Sequence, residues 1–380
     1  MKMFPRDLFE PEHELIRQTA RQFCEREIAP QHDAWEKAGV VPKSAWAKAG
    51  ELGLLCMGMP HEYGGGELDF RASVVLLEEL WRIGASGPGF ALHSDIVAPY
   101  LLHHGSEAIR RAWLPRMARG EVIAAIAMTE PGTGSDLRAV STSAVRDGDE
   151  YIIDGAKTFI TNGLSADLVL VVARTSDAAG ETGLSLILVE ADRPGFKRGR
   201  KLEKIGMKAQ DTAELFFENV RVPVGNLVGQ AHRGLHHLMS ELPQERLIIA
   251  VQAVSATRAT LENTIEFTRN RKIFGKTTFD FQNTRFVLAR ALAELDVAQV
   301  FIDRCITLHV AGRLDATMAA TAKLTATQMQ NKLIDECLQL HGGYGYMWEY
   351  PVARAWADAR AQRIYGGANE VMLELIARTL

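Results

Sequence analysis

Over the first 120 positions apolar residues recur three and four apart, the period of helices with one buried face. Asp7 can cap a helix running to Ala29, with Leu15, Ile16, Phe23 and Ile28 on its apolar side and Pro30 ending it. Pro42-Lys43-Ser44 opens a shorter helix that Gly50 and Gly53 stop, and His61 to Gly66 (HEYGGG) reads as a loop. Residues 70–82 and 90–104 are helical, separated by Ser86-Gly87-Pro88-Gly89, and Ser106 caps a helix over 107–119 that Gly120 ends. The period then falls to two. Residues 151–161, 168–173, 184–189 and 214–218 are short, β-branched or aromatic, and bounded by turns, with Arg146-Asp147-Gly148-Asp149 as a hairpin. Nothing helical separates these strands, so an antiparallel, barrel-like sheet is expected, closed off by Pro223 and Gly225. From His232 the helical period returns over 240–271, 283–311, 316–341 and 370–378, long segments with short connections that suit a bundle. The expected fold class is therefore α+β. It comprises an N-terminal α-helical domain (1–120), a central antiparallel β-barrel-like domain (121–230) and a C-terminal four-helix bundle (231–380).

Composition changes this picture little. The 380 residues are 47% hydrophobic and 24% charged, ordinary for a globular protein, and no apolar run reaches the ~18 residues of a membrane span. The first residues, MKMFPRDLFEPEHE, lack the apolar core of a secretory signal. Cys24, Cys56, Cys305 and Cys337 are widely spaced within helical patterns and read as buried reduced thiols, which points to a cytoplasmic location. A net charge of −4 gives no electrostatic case for nucleic acid. The eleven histidines show no metal-ligand spacing, and the pairs His103-His104 and His236-His237 are expected to point to different helix faces. The basic run at 193–204 reads as a solvated loop.

Two stretches carry candidate chemistry. Residues 339–370 hold two glycine-rich turns, Gly342-Gly343-Tyr344-Gly345 and Gly366-Gly367, with Arg354, Asp358 and Arg360 between them. Paired glycines serve where backbone turns with positive φ or approaches a ligand closely, and equally where helices end. Residues 127–136, AMTEPGTGSD, form a loop whose N–H groups and hydroxyls can hold a phosphate or a polarised carbonyl.

Together, and in this order, the two stretches resemble the signatures of the acyl-CoA dehydrogenase family of flavoproteins. The resemblance covers essentially the whole chain. It implies FAD as cofactor, an acyl-CoA substrate in fatty acid β-oxidation, an electron-transferring flavoprotein as acceptor, and a homotetramer built as a dimer of dimers. By the same resemblance Ile126, Ala127, Met128 and Thr129, with Phe159, Ile160 and Thr161, lie against the isoalloxazine ring. Ser135 matches a contact at the CoA end. Arg271, Phe274, Gln282, Gln339, Leu340, His341, Gly342 and Gly343 match positions around the phosphates and adenine, some reaching in from a neighbouring subunit. Ala368 and Glu370 follow the last glycine turn on the cofactor side. The resemblance also sets the closed end of the acyl pocket in residues 84–104, near Gly87-Pro88-Gly89.

One departure decides where the base must be sought. Many family members carry the catalytic glutamate in a Tyr-Glu-Gly-Thr turn, but here the turn reads Tyr365-Gly366-Gly367-Ala368. Long-chain and isovaleryl-type members carry it instead on an earlier helix, before an arginine, and Glu245-Arg246 occupies that place. The stretches ELPQERL, RKIFGK, KAQDTAELFFE and HGGYGYMWEYP look like the long-chain branch. Glu245 is thus the expected base, with Arg246, Gly366 and Gly367 beside the substrate. Glu241 shares the face of Glu245, although Pro243 is expected to kink or start the helix between them. Glu130 reads as structural. The implied reaction is α,β-dehydrogenation of medium- or long-chain acyl-CoA. The alternatives are a short branched-chain substrate, or a catalytically inactive flavin-binding relative.

Overall fold

A computed structural model describes residues 4–176 and 180–380. The N-terminal helices are α1 (Pro11–Phe23), α2 (Ala29–Ala38), α3 (Lys43–Glu51), α4 (Phe70–Arg82), α5 (Ala98–His104) and α6 (Glu107–Ala118). The first helix begins at Pro11 behind Glu10, not at Asp7. Pro30 does not end it either. A π-helical turn, Cys24–Ile28, joins α1 to α2, and the Ala29 N–H bonds to the Cys24 carbonyl five residues back. Widening the helix there lets the chain continue through a proline that has no N–H to give. The same device recurs at Leu92–Val97, just ahead of Pro99 in α5. Ser106 caps α6 through the Ile109 N–H, and Gly120 follows with φ +68°, both as expected.

The central strands are β1 (Ala124–Ala127), β2 (Ser143–Asp147), β3 (Glu150–Thr161), β4 (Leu168–Ser176), β5 (Thr182–Glu190), β6 (Phe196–Lys201), β7 (Thr212–Pro223) and β8 (Leu227–Val228). They order as β6-β7-β3-β2-β4-β5-β8, with β1 beside β4. This corrects two expectations. The sheet is mixed, because β4 pairs parallel with both β1 and β2. Nor does it close into a barrel, since β6 and β8 end the path unpaired with each other. Its curl is real enough to bury both faces of β4. Leu168, Leu170 and Val172 pack with Tyr100, Leu101 and Leu114 of the helices, while Val169, Val171 and Ala173 pack with Ile153, Phe217 and Val222 of the same sheet. A strand covered on both sides reads as an unbroken apolar run, which is why β4 was plain in the sequence. The basic run expected as a loop contains the edge strand β6, whose Lys197, Arg198 and Lys201 suit an edge kept from pairing further.

The C-terminal part holds α7 (Gly234–Asn270), α8 (Gln282–Val310), α9 (Ala316–His341), α10 (Pro351–Gln362) and α11 (Asn369–Ala377). Instead of four helices there are three long ones packed on each other and two short ones packed on α9. Between α7 and α8 lies a tight hairpin of β9 (Lys272–Ile273) and β10 (Lys276–Thr277), turning at Phe274 and Gly275 with φ +49° and +79°. Pro243 neither starts nor interrupts α7, which runs continuously through it. The four cysteines are buried and unbonded. No helix among the described residues is long and apolar enough to cross a membrane.

Candidate active site

The loop after β1 is held from below by a buried pair. Lys157 of β3 donates to Glu130 Oε1 at 2.8 Å and to the Met128 carbonyl at 3.0 Å. Glu130 also accepts from Ser141 N–H and Oγ and from Thr142 N–H. Burial alone would raise its carboxyl, but these bonds win and hold it at about 2. Glu130 is therefore a fixed anion that shapes the loop, and the structural reading of it stands. The loop's outer residues, Ser135 among them, are exposed.

Beside this loop β3 bulges. Its register with β7 shifts between Lys157 and Ile160, and Phe159 takes φ +59° and is 67% exposed. A bulky residue in the left-handed region marks a site whose surroundings over-determine it. The Thr158 N–H bonds to the Thr129 carbonyl, so the bulge and the loop are tied edge to edge. Ile126, Met128 and Thr129 are half-buried, Ala127 and Ile160 are buried, and Thr161 is half-buried at the strand end. The structure thus brings these seven residues together as a partly open platform with an out-turned aromatic ring.

The third piece is the seam between α5 and α7. Glu245 is only 6% exposed, and the Tyr100 hydroxyl donates to its Oε1 at 2.8 Å. Burial pushes the Glu245 carboxyl up to about 7, opposed by the Tyr100 bond and the charge of Arg246. Arg246 is itself buried, and its Nε and Nη1 have no hydrogen-bond partner among the described residues. The last glycine turn stands against the same wall. A Cβ on Gly366, at φ +64°, would come within 2.2 Å of Ile249 Cδ1, one turn beyond Glu245 on α7. Lys323 of α9 pins the turn by donating to the Gly367 carbonyl and to Asn369 Oδ1, both at 2.8 Å. Ala368 precedes α11, and Glu370 is an exposed residue of its first turn.

One helical turn before Glu245, Glu241 accepts from His103 Nδ1 at 3.0 Å and from His104 Nε2 at 3.1 Å. The two histidines converge instead of pointing apart, because Glu241 lies in the groove between them. The bond to Glu241 raises His103, while burial lowers His104. Around them is a hollow of about 460 Å³ lined also by Arg233, His236 and His237.

The remaining expected contacts lie elsewhere. Arg271 sits over the Tyr344 ring at 5.2 Å, and Phe267 stacks on His341 at 4.2 Å, which gathers the end of α7 and the end of α9. Arg271, Gln282, Gln339, Gly342 and Gly343 are exposed, Leu340 is half-buried, and Phe274 stands 92% exposed at the hairpin tip. A Cβ on Gly342 or Gly343 would meet open space, so these glycines leave a way in for a ligand to reach the backbone. From Glu245 to Arg271, α7 rises about 39 Å. Arg354 and Asp358, by contrast, are structural: Arg354 binds the Trp348 carbonyl and Asp33, and buried Asp358 accepts from the Met207 N–H. Gly87 and Gly89 are closely packed. Added Cβ atoms there would strike Ala209 Cβ at 2.6 Å and Asn162 Oδ1 at 2.2 Å, so these glycines let the helices close on the sheet. Tyr100, Ile249 and Lys323 were missed. A lone lysine in the apolar run AATAKLTAT was the available signal for Lys323; nothing local distinguished Tyr100.

The comparisons give this geometry a family. Models of the N-terminal, middle and C-terminal domains of acyl-CoA dehydrogenase match residues 10–121, 125–220 and 232–380. The chain belongs to the acyl-CoA dehydrogenase family. This acyl-CoA dehydrogenase is 48% identical over 377 residues to the long-chain specific acyl-CoA dehydrogenase, mitochondrial, of Sus scrofa, covering 99% of this chain and 88% of that one. An acyl-CoA dehydrogenase crystal structure from Geobacillus kaustophilus matches with a TM-score of 0.96 at 46% identity, over 99% of both chains. A glutaryl-CoA dehydrogenase from Mycobacterium smegmatis in complex with FADH2 matches with a TM-score of 0.91 at 29% identity, over 98% of this chain and 95% of that one. The protein is thus an FAD-dependent oxidoreductase of acyl-CoA. The open platform at the β3 bulge and the uncovered glycines fit a flat cofactor with a phosphate tail.

Proposed function

We propose that this dehydrogenase desaturates medium- to long-chain saturated acyl-CoA to the trans-2-enoyl-CoA, with Glu245 taking the Cα proton. The observation that carries this reading is the shared wall of Glu245 and the Gly366 turn. The turn packs on Ile249, one turn beyond Glu245 on α7, and offers no carboxylate at position 366, which supports Glu245 as the base on that wall. A carboxyl raised to about 7 is suited to accept a proton near neutral pH. When bound, FAD supplies the hydride acceptor for Cβ. Ile126, Ala127, Met128, Thr129, Phe159, Ile160 and Thr161 would support its ring, with Ala368 and Glu370 near it. Ser135 and Arg246 would meet the CoA arm, and the Gly366-Gly367 backbone the thioester oxygen. The 48% identity to a long-chain relative supports the longer substrates.

The groups expected at the cofactor's phosphates, Arg271, Phe274, Gln282 and Gln339 to Gly343, stand at the far end of α7. They would therefore serve the cofactor of a second copy. Exposed Phe274, Phe286, Val297 and Val300 support a homo-oligomer, for which we propose a tetramer. Electrons would leave to an electron-transferring flavoprotein, and we place the enzyme in the cytoplasm.

The test is anaerobic mixing of the yellow protein with palmitoyl-CoA. Bleaching of the flavin is expected in wild type and not, on the same timescale, in Glu245→Gln. Bleaching by isovaleryl-CoA alone would move the assignment to short branched chains, and no bleaching by any acyl-CoA would defeat it.

A further inference from the structure

Helix α5 crosses α7 in register. Tyr100 meets Glu245, and one turn on along α5 and one turn back along α7, His103 and His104 meet Glu241. Each buried carboxylate of this α7 face has a donor from α5. For Glu241 the donors are titratable and the pair opens to solvent through His103, which is exposed. For Glu245 the donor is a phenol with no accessible surface, whose only hydrogen bond among the described residues is to Oε1. The other oxygen, Oε2, has no hydrogen-bond partner among the described residues. Packing would be served as well by phenylalanine, because a buried hydroxyl is costly unless it is paired. The hydroxyl is thus tied to the carboxylate and to nothing else.

We propose that Tyr100 is the positioning residue of the Cα base, holding Oε1 by a hydrogen bond so that Oε2 is presented to the substrate. The proposal rests on Glu245 being the base. It explains how a carboxylate on a long side chain, approaching from α7, keeps one orientation in a site with no second anchor. The hydroxyl also donates to the ionised form in preference to the protonated one, which counters part of the penalty of burial. Other groups acting on Glu245 are Arg246 and Glu241 on its own helix. More remote are His103 and His104 on α5 through Glu241, Asp95 of the Leu92–Val97 turn, bonded to Ser73, and Lys323 of α9 through Arg246. None of these contacts Oε1.

Tyr100→Phe in the FAD-loaded enzyme removes one oxygen atom and leaves the ring. Stopped-flow reduction by palmitoyl-CoA at pH 7 should slow about tenfold. FAD content and affinity for a non-reacting acyl-CoA thioether should be unchanged. The pH midpoint of the reduction rate should rise by about one unit, because the anion has lost its donor. In the Glu245→Gln background the same change should cost nothing further. Should Tyr100→Phe prove unstable, 3-fluorotyrosine at position 100 in the wild-type chain gives a stronger donor and should lower the midpoint instead. An unmoved midpoint in either protein, or a full tenfold loss persisting in the double variant, overturns the positioning role. A Glu245→Gln enzyme that reduces at wild-type speed overturns the base assignment itself, a different result from either of these.

Discussion

The two ends of α7 do opposite things with the same kinds of residue. At one end Glu245, Tyr100, Ile249 and the Gly366 turn are closed in by contacts that a single chain makes with itself. At the other end Arg271, Phe274, Gln282 and Gly343 project from the hairpin and the helix ends with open space around them. The first end is preorganised, and the second is assembled only when something arrives. A pocket that holds a carboxyl of shifted pKa needs low dielectric and fixed partners, which only packing supplies. Contacts to a charged, hydrated phosphate tail would need neither, and in the proposed oligomer could wait for a second subunit.

The contrast can be broken most directly at the closed end. Glu245→Gln should slow flavin reduction by about 10²- to 10⁴-fold, roughly 3–5 kcal/mol of barrier, with FAD retained. Glu370→Gln, an exposed first-turn residue, should cost little in the same stopped-flow assay. If the two results are exchanged, the closed end is not where the proton goes.

The pH dependence should set activity against stability. The folded Glu245 carboxyl lies at about 7, above its ordinary value of 4.5, so the native state prefers it protonated. Its stabilising contribution is complete below the unfolded value near 4.5 and is lost as pH rises through about 7, up to about 3 kcal/mol. Over the same window the reduction rate should climb, as the base ionises. Melting curves from pH 4.5 to 8 should show the loss in wild type but not in Glu245→Gln; parallel curves would mean the carboxyl is not held in its buried state.

Gly366→Ala should destabilise the fold by about 1–3 kcal/mol, from a left-handed backbone and a collision with Ile249. Ile249→Val in the same chain removes Cδ1 and should recover the steric part, read as a partial return of Tm. No recovery would mean the turn and α7 are not in contact. At the open end Phe274→Asp should leave the monomer's Tm unchanged while raising the Kd for FAD a few-fold, about 1 kcal/mol, and reducing self-association in sedimentation. Loss of monomer stability instead would show that Phe274 packs within its own chain.

The same contrast governs what could be read from the sequence. Helix α4 was legible to the residue because its apolar face repeats without interruption, and β4 because both of its faces are covered. The strands β1, β2 and β6 escaped, being short or basic, with their burial decided by neighbours far away in the chain. The parallel pairing of β4 with β1 and β2 likewise depends on a crossover that no local period records. In the site, glycines and carboxylates announced themselves by type and order. Tyr100 and Ile249 did not, since an apolar helix offers many such residues; only the crossing of α5 and α7 selects the first, and only the approach of the Gly366 turn selects the second. At Gly87 and Gly89 the place of a side chain is taken by Ala209 and Asn162, a close approach that residue type alone does not reveal.

The widened turn at Leu92–Val97 gives α5 a phase that its composition does not reveal. Every residue from Ala98 to His104 is set by the count of residues in that turn as much as by its own identity. Deleting one residue there would let the turn rewind to regular α-helix and advance the downstream face by about 100°. Tyr100 would then swing off Glu245 and the His103–His104 pair off Glu241, with no side chain of the ladder having been changed. The address of Glu245's partner is thus written as a length, and a frame-preserving deletion of a single codon would erase it.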